Sequence, residues 1–151
     1  MNISSEQLFI SADSLSPDQT IAIAIKFARV LKPTDVVAFY GDLGSGKTFL
    51  IKALCDSLGT IQSATSPSFT IMNEYLTKKG IYIYHFDFYR LKNKAELQNI
   101  GLDDFFYNDF ICFIEWADKI SEFLPEKRWD VLLRFIQDRP NAREIKILRK
   151  N

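Results

Sequence analysis

Apolar residues recur along the chain with two periods, and the places where the period changes outline its elements. Gln7 to Ser11 predicts a short first strand. Ser16-Pro17-Asp18-Gln19 then opens a helix, with Ser16 as N-cap, Pro17 at the first helical position and Gln19 completing a capping box. Ile21, Ala24, Ile25, Ala28 and Leu31 follow at helical spacing, a predicted core-facing stripe that Pro33 ends. Asp35 to Tyr40 reads as a buried strand, and Lys47 to Leu58 as a helix closed by Gly59 at its C-cap. Two β-rich runs, Phe69 to Leu76 and Ile81 to Tyr89, are separated by the four residues Thr77 to Gly80. That gap is too short for a parallel crossover, so they form an antiparallel hairpin. Asn93 to Glu96 opens a short capped helix, Gly101 interrupts it, and Leu102 to Tyr107 adds a further helical turn. Phe110 to Trp116 is an apolar strand carrying an acid near its end, and Ala117 to Leu124 a helix stopped by Pro125. Arg128 to Ile136 and Glu144 to Arg149 alternate as a second hairpin, joined by the turn-rich Gln137 to Ala142.

These elements predict one α/β domain over residues 1–151, built on a mixed sheet of about seven strands with a parallel core and antiparallel hairpins, flanked by helices. Composition agrees, since 47% hydrophobic residues and 13 phenylalanines can form a substantial core. Lysines and arginines number 19, as do the acids, so the formal net charge is zero. That balance lacks the basic footprint of an autonomous nucleic-acid binder, and any contact with RNA is expected through a partner. The two cysteines, Cys55 and Cys112, sit among apolar neighbours and read as buried thiols suited to a reducing cytoplasm. With neither a signal peptide nor an apolar run approaching the ~18 residues that span a membrane, a soluble cytoplasmic protein is expected.

Candidate chemistry is concentrated between the second strand and the helix after it. Gly41-Asp42-Leu43-Gly44-Ser45-Gly46-Lys47-Thr48 fits G-x-x-x-x-G-K-[ST], the phosphate-binding P-loop, in the strand–loop–helix setting the motif requires. Glycines let successive backbone N–H groups curl round phosphate oxygens, and the helix start adds its positive dipole end. Lys47 would reach the β- and γ-phosphates, and the Thr48 hydroxyl would ligate Mg²⁺. Ser66, Pro67, Ser68, Phe69 and Thr70 read either as a connecting loop or as a switch segment facing the γ-phosphate. Ile81, Ile83, His85, Asp87 and Tyr89 share one face of their strand, and Asp87 either ends it or serves the metal. Glu115 ends a buried strand as the acid of a Walker B arrangement does. On the residues alone His85 reads as a satisfied structural imidazole, Trp116 as core or site, and Arg143 as a solvated strand-end arginine.

A small-molecule kinase would need an acceptor site under an Arg-rich lid, and no insertion supplies one. A GTPase would need Asn-Lys-x-Asp, where Asn93-Lys94-Ala95-Glu96 has Glu last and looks like a helix cap. Gly41 to Thr48, Ser66 to Thr70, His85-Phe86-Asp87-Phe88-Tyr89-Arg90, Ile100-Gly101-Leu102 and Ile114-Glu115-Trp116 together resemble, in order and spacing, the TsaE (YjeE) family. The resemblance covers about two-thirds of the chain, with Ser45, Ser68 and Ala117 standing where the family commonly has Ala, Thr and Pro. It implies a P-loop NTPase fold and Mg-dependent ATP hydrolysis in bacterial tRNA threonylcarbamoyladenosine formation, coupled to a TsaB–TsaD heterodimer, with tRNA met only through that complex. It further implies Lys47, Asp87 and Glu115 as catalytic residues, with Thr48, Glu115 and Asp87 at the metal. Nucleotide contacts would come from Gly41 to Thr48 and from Arg143, with Pro17 and Thr20 bordering the adenine.

Overall fold

A computed structural model describes residues 5–67 and 71–151. The sheet has seven strands: β1 (Glu6–Ser14), β2 (Val36–Tyr40), β3 (Met72–Leu76), β4 (Tyr82–Asp87), β5 (Ile111–Glu115), β6 (Arg128–Ile136) and β7 (Arg139–Lys150). Their order is β1-β7-β6-β2-β5-β4-β3, with β2, β4, β5 and β6 parallel and β1, β3 and β7 antiparallel to their neighbours. The expected mixed sheet is present. β2 and β5 are its centre, and their continuous apolar runs suit strands covered on both faces.

Alternation sorts the side chains between two layers. Val37, Phe39, Ile83, Ile111 and Phe113 face a core shared with α1 (Pro17–Ala28) and α2 (Lys47–Leu58). Val36, Ala38, Tyr84, Phe86, Cys112 and Ile114 face the other core, with α3 (Leu102–Phe106) and two 3₁₀ segments, Lys94–Asn99 and Ala117–Phe123. Because β2, β4 and β5 are parallel, their C-terminal ends lie along one edge, where the register pairs Phe39 and Asp87 with Glu115. Ligands of open α/β sheets bind at such an edge.

Several local expectations change. The stripe on α1 is rotated: Thr20, Ala24, Phe27 and Ala28 are buried, while Ile21 and Ile25 are 39% and 40% exposed beside α2. Phe27 takes the core position instead, packing edge-on against Trp129. Ser16 caps the helix as read, accepting from Gln19 N–H, but the Gln19 side chain accepts from Leu15 N–H, so the capping box closes one residue early. Leu31 packs against the core, though α1 has ended at Ala28. Strand β1 is longer than Gln7 to Ser11 because it pairs along β7. The six-residue turn from Gln137 to Ala142 shrinks to Gln137-Asp138, with Asp138 at positive φ, and Pro140 to Ala142 lie in a bulge between paired positions. Tyr89 leaves the strand that ends at Asp87 and is exposed. Asn93 caps a 3₁₀ segment, not an α-helix, and Ala117–Phe123 is a second one, broken by non-helical backbone at Ile120. Cys55 and Cys112 are buried free thiols, and burial pushes both up to about 12. Among the described residues no helix is long and apolar enough to cross a membrane.

Candidate functional site

The loop from Gly41 to Gly46 turns sharply because three of its residues are glycine, and two of those are needed for separable reasons. At Gly41 a Cβ would stand 2.7 Å from the Leu133 carbonyl oxygen, so no side chain fits. Gly46 caps α2 from the left-handed region at φ 101°. Arg143 holds the outside of the loop from β7: Nε donates to the Ser45 carbonyl at 3.1 Å and Nη2 to the Gly44 carbonyl at 3.3 Å. Its plane lies over the Phe135 ring, and Nη1 donates to the carbonyls of Pro140 and Ala142. The arginine is tied to the P-loop backbone and is not the solvated strand end that its sequence position suggests.

Inside the loop the polar side chains bond to one another. Buried Lys47 donates to the carbonyls of Gly41 and, at 3.1 Å, Asp42, and its Nζ lies 4.3 Å from the Trp116 ring centroid. Burial lowers its pKa, against the opposing pull of Glu115, Asp87 and Asp42. The Thr48 hydroxyl donates to Glu115 Oε1 at 2.8 Å across 67 residues of sequence. Glu115 Oε2 lies 2.7 Å from His85 Nε2. Asp87, on the same face of the adjacent strand, accepts from Tyr89 N–H at 2.9 Å. Burial raises the Asp87 pKa, with the Tyr89 N–H opposing and the Glu115 charge adding.

Of these bonded side chains, all but the enclosed His85 border one cleft of about 450 Å³, a volume proper to a small-molecule site. Its walls include Gly44, Lys47, Thr48, Asp87, Glu115 and Trp116, together with Ser66 and Pro67. Thr65, just before them, is fastened at both backbone groups by the Tyr75 hydroxyl, and Asn73 also donates to its carbonyl. Ser68, Phe69 and Thr70 lie outside the described residues. Pro17 and Thr20 are not among the lining residues. Thr20 is buried, its hydroxyl 2.6 Å from that of Ser14, and Ser14 pairs in register with Arg143.

Two residues stand closer to the cleft chemistry than their sequence readings required. His85 is not a fully satisfied structural imidazole, because Nε2 engages Glu115 while Nδ1 has no partner among the described residues. Trp116 lines the cleft from left-handed backbone, φ 58°, which costs on the order of 1–3 kcal/mol for a non-glycine residue, and its indole faces Lys47. The alternation that put His85 and Asp87 on one face was the available signal for the first. For the second it was the Ile114-Glu115-Trp116 motif, which left Trp116 open as core or site.

The donors fit a hard divalent cation, since Thr48, Glu115 and Asp87 offer only oxygen. His85, the nearest nitrogen ligand, is already engaged by Glu115. Among the described residues no three His, Cys, Asp or Glu side chains form a preassembled metal cage.

The family model for "Threonylcarbamoyl adenosine biosynthesis protein TsaE" matches residues 14–145. The tRNA threonylcarbamoyladenosine biosynthesis protein TsaE of Bacillus subtilis is 38% identical over 133 residues, covering 87% of this chain and 80% of that one. Its namesake in Haemophilus influenzae is also 38% identical, over 82% of this chain and 78% of its own. The crystal structure of Bacillus subtilis YdiB superposes with a TM-score of 0.75 at 33% identity, over 99% of this chain and 88% of that one. With the glycine loop set between β2 and α2 of a mixed seven-stranded sheet, the fold is that of a P-loop NTPase. The chain belongs to the TsaE family, which acts in tRNA threonylcarbamoyladenosine biosynthesis.

Proposed function

We propose that residues 1–151 form one cytoplasmic ATPase domain that hydrolyses ATP with Mg²⁺ and uses the cycle to change its grip on a TsaB–TsaD heterodimer, meeting tRNA only through that complex. The observation that carries this reading is the Thr48–Glu115 hydrogen bond of 2.8 Å at the mouth of the glycine loop, which joins the hydroxyl and the carboxylate that a nucleotide-bound cation needs. When bound, Mg²⁺ would supply positive charge to the β- and γ-phosphate oxygens.

The chain's own residues do the rest. Lys47 exchanges the Gly41 and Asp42 carbonyls for phosphate oxygens, a gain in charge complementarity because no carboxylate pairs with it in the loop. Thr48 and Glu115, whose oxygens now bond each other, would hold the cation. Asp87, whose raised pKa reflects its burial, orients water or the cation from the adjoining strand. The backbone N–H groups from Gly41 to Thr48 cradle the phosphates, with Arg143 keeping the loop in shape. Ser66 and Pro67, with Ser68 to Thr70 beyond them, sense the γ-phosphate, and Pro17 and Thr20 border the adenine. ATP-bound and product states must differ in affinity for the heterodimer, or hydrolysis could do no work on it.

A phosphate-release assay with and without TsaB–TsaD and tRNA tests this. Slow release alone and an altered rate with the complex are expected. Normal tRNA modification in cells whose only copy is Lys47→Ala would overturn the proposal.

A further inference from the structure

The geometry points to His85 as a positioning residue that sets the orientation of the Glu115 carboxylate. Both groups are buried, His85 completely so, and the Nε2–Oε2 distance is 2.7 Å. The ring is held on both sides, since β4 runs between β3 and β5 with His85 in register with Asn73 and Phe113, and the Tyr75 ring lies 6.4 Å away. A carboxylate at that distance accepts, so the proton of the imidazole is on Nε2. Nδ1 is buried with no partner among the described residues, and a proton there would be an unmet buried donor, costing about 1–3 kcal/mol. The tautomer is therefore Nε2–H with a bare Nδ1.

The two oxygens of Glu115 are thus held by different kinds of partner. Oε1 receives the Thr48 hydroxyl, a group at the cleft wall that is free to turn toward a cation. Oε2 receives an imidazole sealed in the sheet, which has no other hydrogen-bond partner among the described residues. When Thr48 turns away, His85 alone keeps the carboxylate from rotating, and Oε1 stays aimed at the cleft. Partners of this kind behind a metal-binding carboxylate typically change metal affinity or activity by about 10- to 100-fold when removed. The role presupposes the hydrolysis reading above, whereas the tautomer does not.

This is the chain's one histidine, so a long-range ¹H–¹⁵N spectrum of the full chain reports a single imidazole. The expected result is a proton on Nε2 with an unprotonated Nδ1, and resonances that move in Glu115→Gln. A proton on Nδ1 alone overturns the proposal whatever the enzymology. In kinetics, His85→Leu should lower kcat by about 10- to 100-fold with KM for ATP nearly unchanged, because the loop and Lys47 are intact. His85→Gln, whose terminal amide reaches toward Glu115, should recover most of kcat. Equal losses in the two variants at matched thermal stability would refute positioning, as would an unimpaired His85→Leu. If His85→Leu does not fold, His85→Asn replaces it, its amide being too short to stand where Nε2 does. If the wild type releases no phosphate, the hydrolysis reading fails by itself, and Mn²⁺ binding to the ATP-loaded protein, followed by electron paramagnetic resonance, decides His85. Weaker binding in His85→Leu sustains the role and equal affinity removes it.

Discussion

Acids are buried at both ends of the sheet, and their company differs. At the foot, away from the glycine loop, Asp35 meets Arg149 at 3.4 Å and accepts from Lys32 N–H, while Asp130 lies 2.9 Å from Arg128 and 3.5 Å from Lys150. At the loop end, among the described residues, neither Asp87 nor Glu115 has a lysine or arginine within ion-pair distance, and buried Lys47 has no carboxylate. Both ends bear the desolvation of charge, but only the foot balances it internally. Closely matched charges make a structural site. Charges such as buried Lys47 and Glu115 that face a cleft without their own counterions have the pattern of a functional site, which in the proposed function takes an anion for Lys47 and a cation for the acids.

The largest expected effect tests the open end. Lys47→Ala should lower phosphate release by at least about a hundredfold, the scale seen when one preorganised donor to a transition state is removed. Next in size is a crossed pair of stability measurements. Asp35→Asn takes the charge from a buried pair and should cost about 1–3 kcal/mol in urea unfolding while leaving hydrolysis intact. Glu115→Gln should abolish hydrolysis without that loss of stability, because its amide can donate to Thr48 and its carbonyl still accept from His85. Equal destabilisation at the two ends would erase the distinction between them.

Smaller still is a pH effect at Asp87. Its folded pKa is raised by burial, so the folded state holds this proton more tightly than the unfolded chain does. The stability from that proton is complete below the unfolded carboxylate value and is lost as pH rises through the folded one. Asp87→Asn should therefore melt higher than wild type at neutral pH, with the gap closing in acid as the wild-type carboxyl becomes protonated. Thermal melts across that range measure it. The smallest effect belongs to Ser45, whose buried hydroxyl beneath Gly41 has no partner among the described residues. Ser45→Ala should be neutral or stabilise by up to about 1 kcal/mol in the same unfolding assay.

The unit from Asp35 to Gly59 was legible because every signal in it is local: a buried run, glycines in a fixed motif, a C-cap. The first hairpin was legible too, since its four-residue gap allows one connection. What stayed hidden depends on contacts distant in sequence. The Thr48–Glu115 bond requires β2 and β5 to be neighbours, and no periodicity encodes strand order. His85 was placed on the correct face, but its bond to Glu115 follows from the β4–β5 register. The rotated stripe on α1 shows a limit of the helical pattern: Ala24 and Ala28 are buried as the period predicts, yet Ile21 and Ile25 are not, and Phe27, outside the stripe, takes the core position. Arg143 read as a solvated strand end because the bulge that carries it onto the loop arises from a mismatch with β6.

The two tryptophans lie at opposite ends of the sheet, each with a cation near its face: Lys47 4.3 Å from Trp116, and Arg149 5.0 Å from Trp129. The chain therefore carries an optical gauge with its own reference. Phosphate arriving in the loop draws Lys47 off one indole and changes its emission, while the other indole, 8% exposed at the foot, keeps a constant signal. Nucleotide occupancy can then be followed by intrinsic fluorescence in the unlabelled protein, and replacing either tryptophan by phenylalanine identifies which end reports.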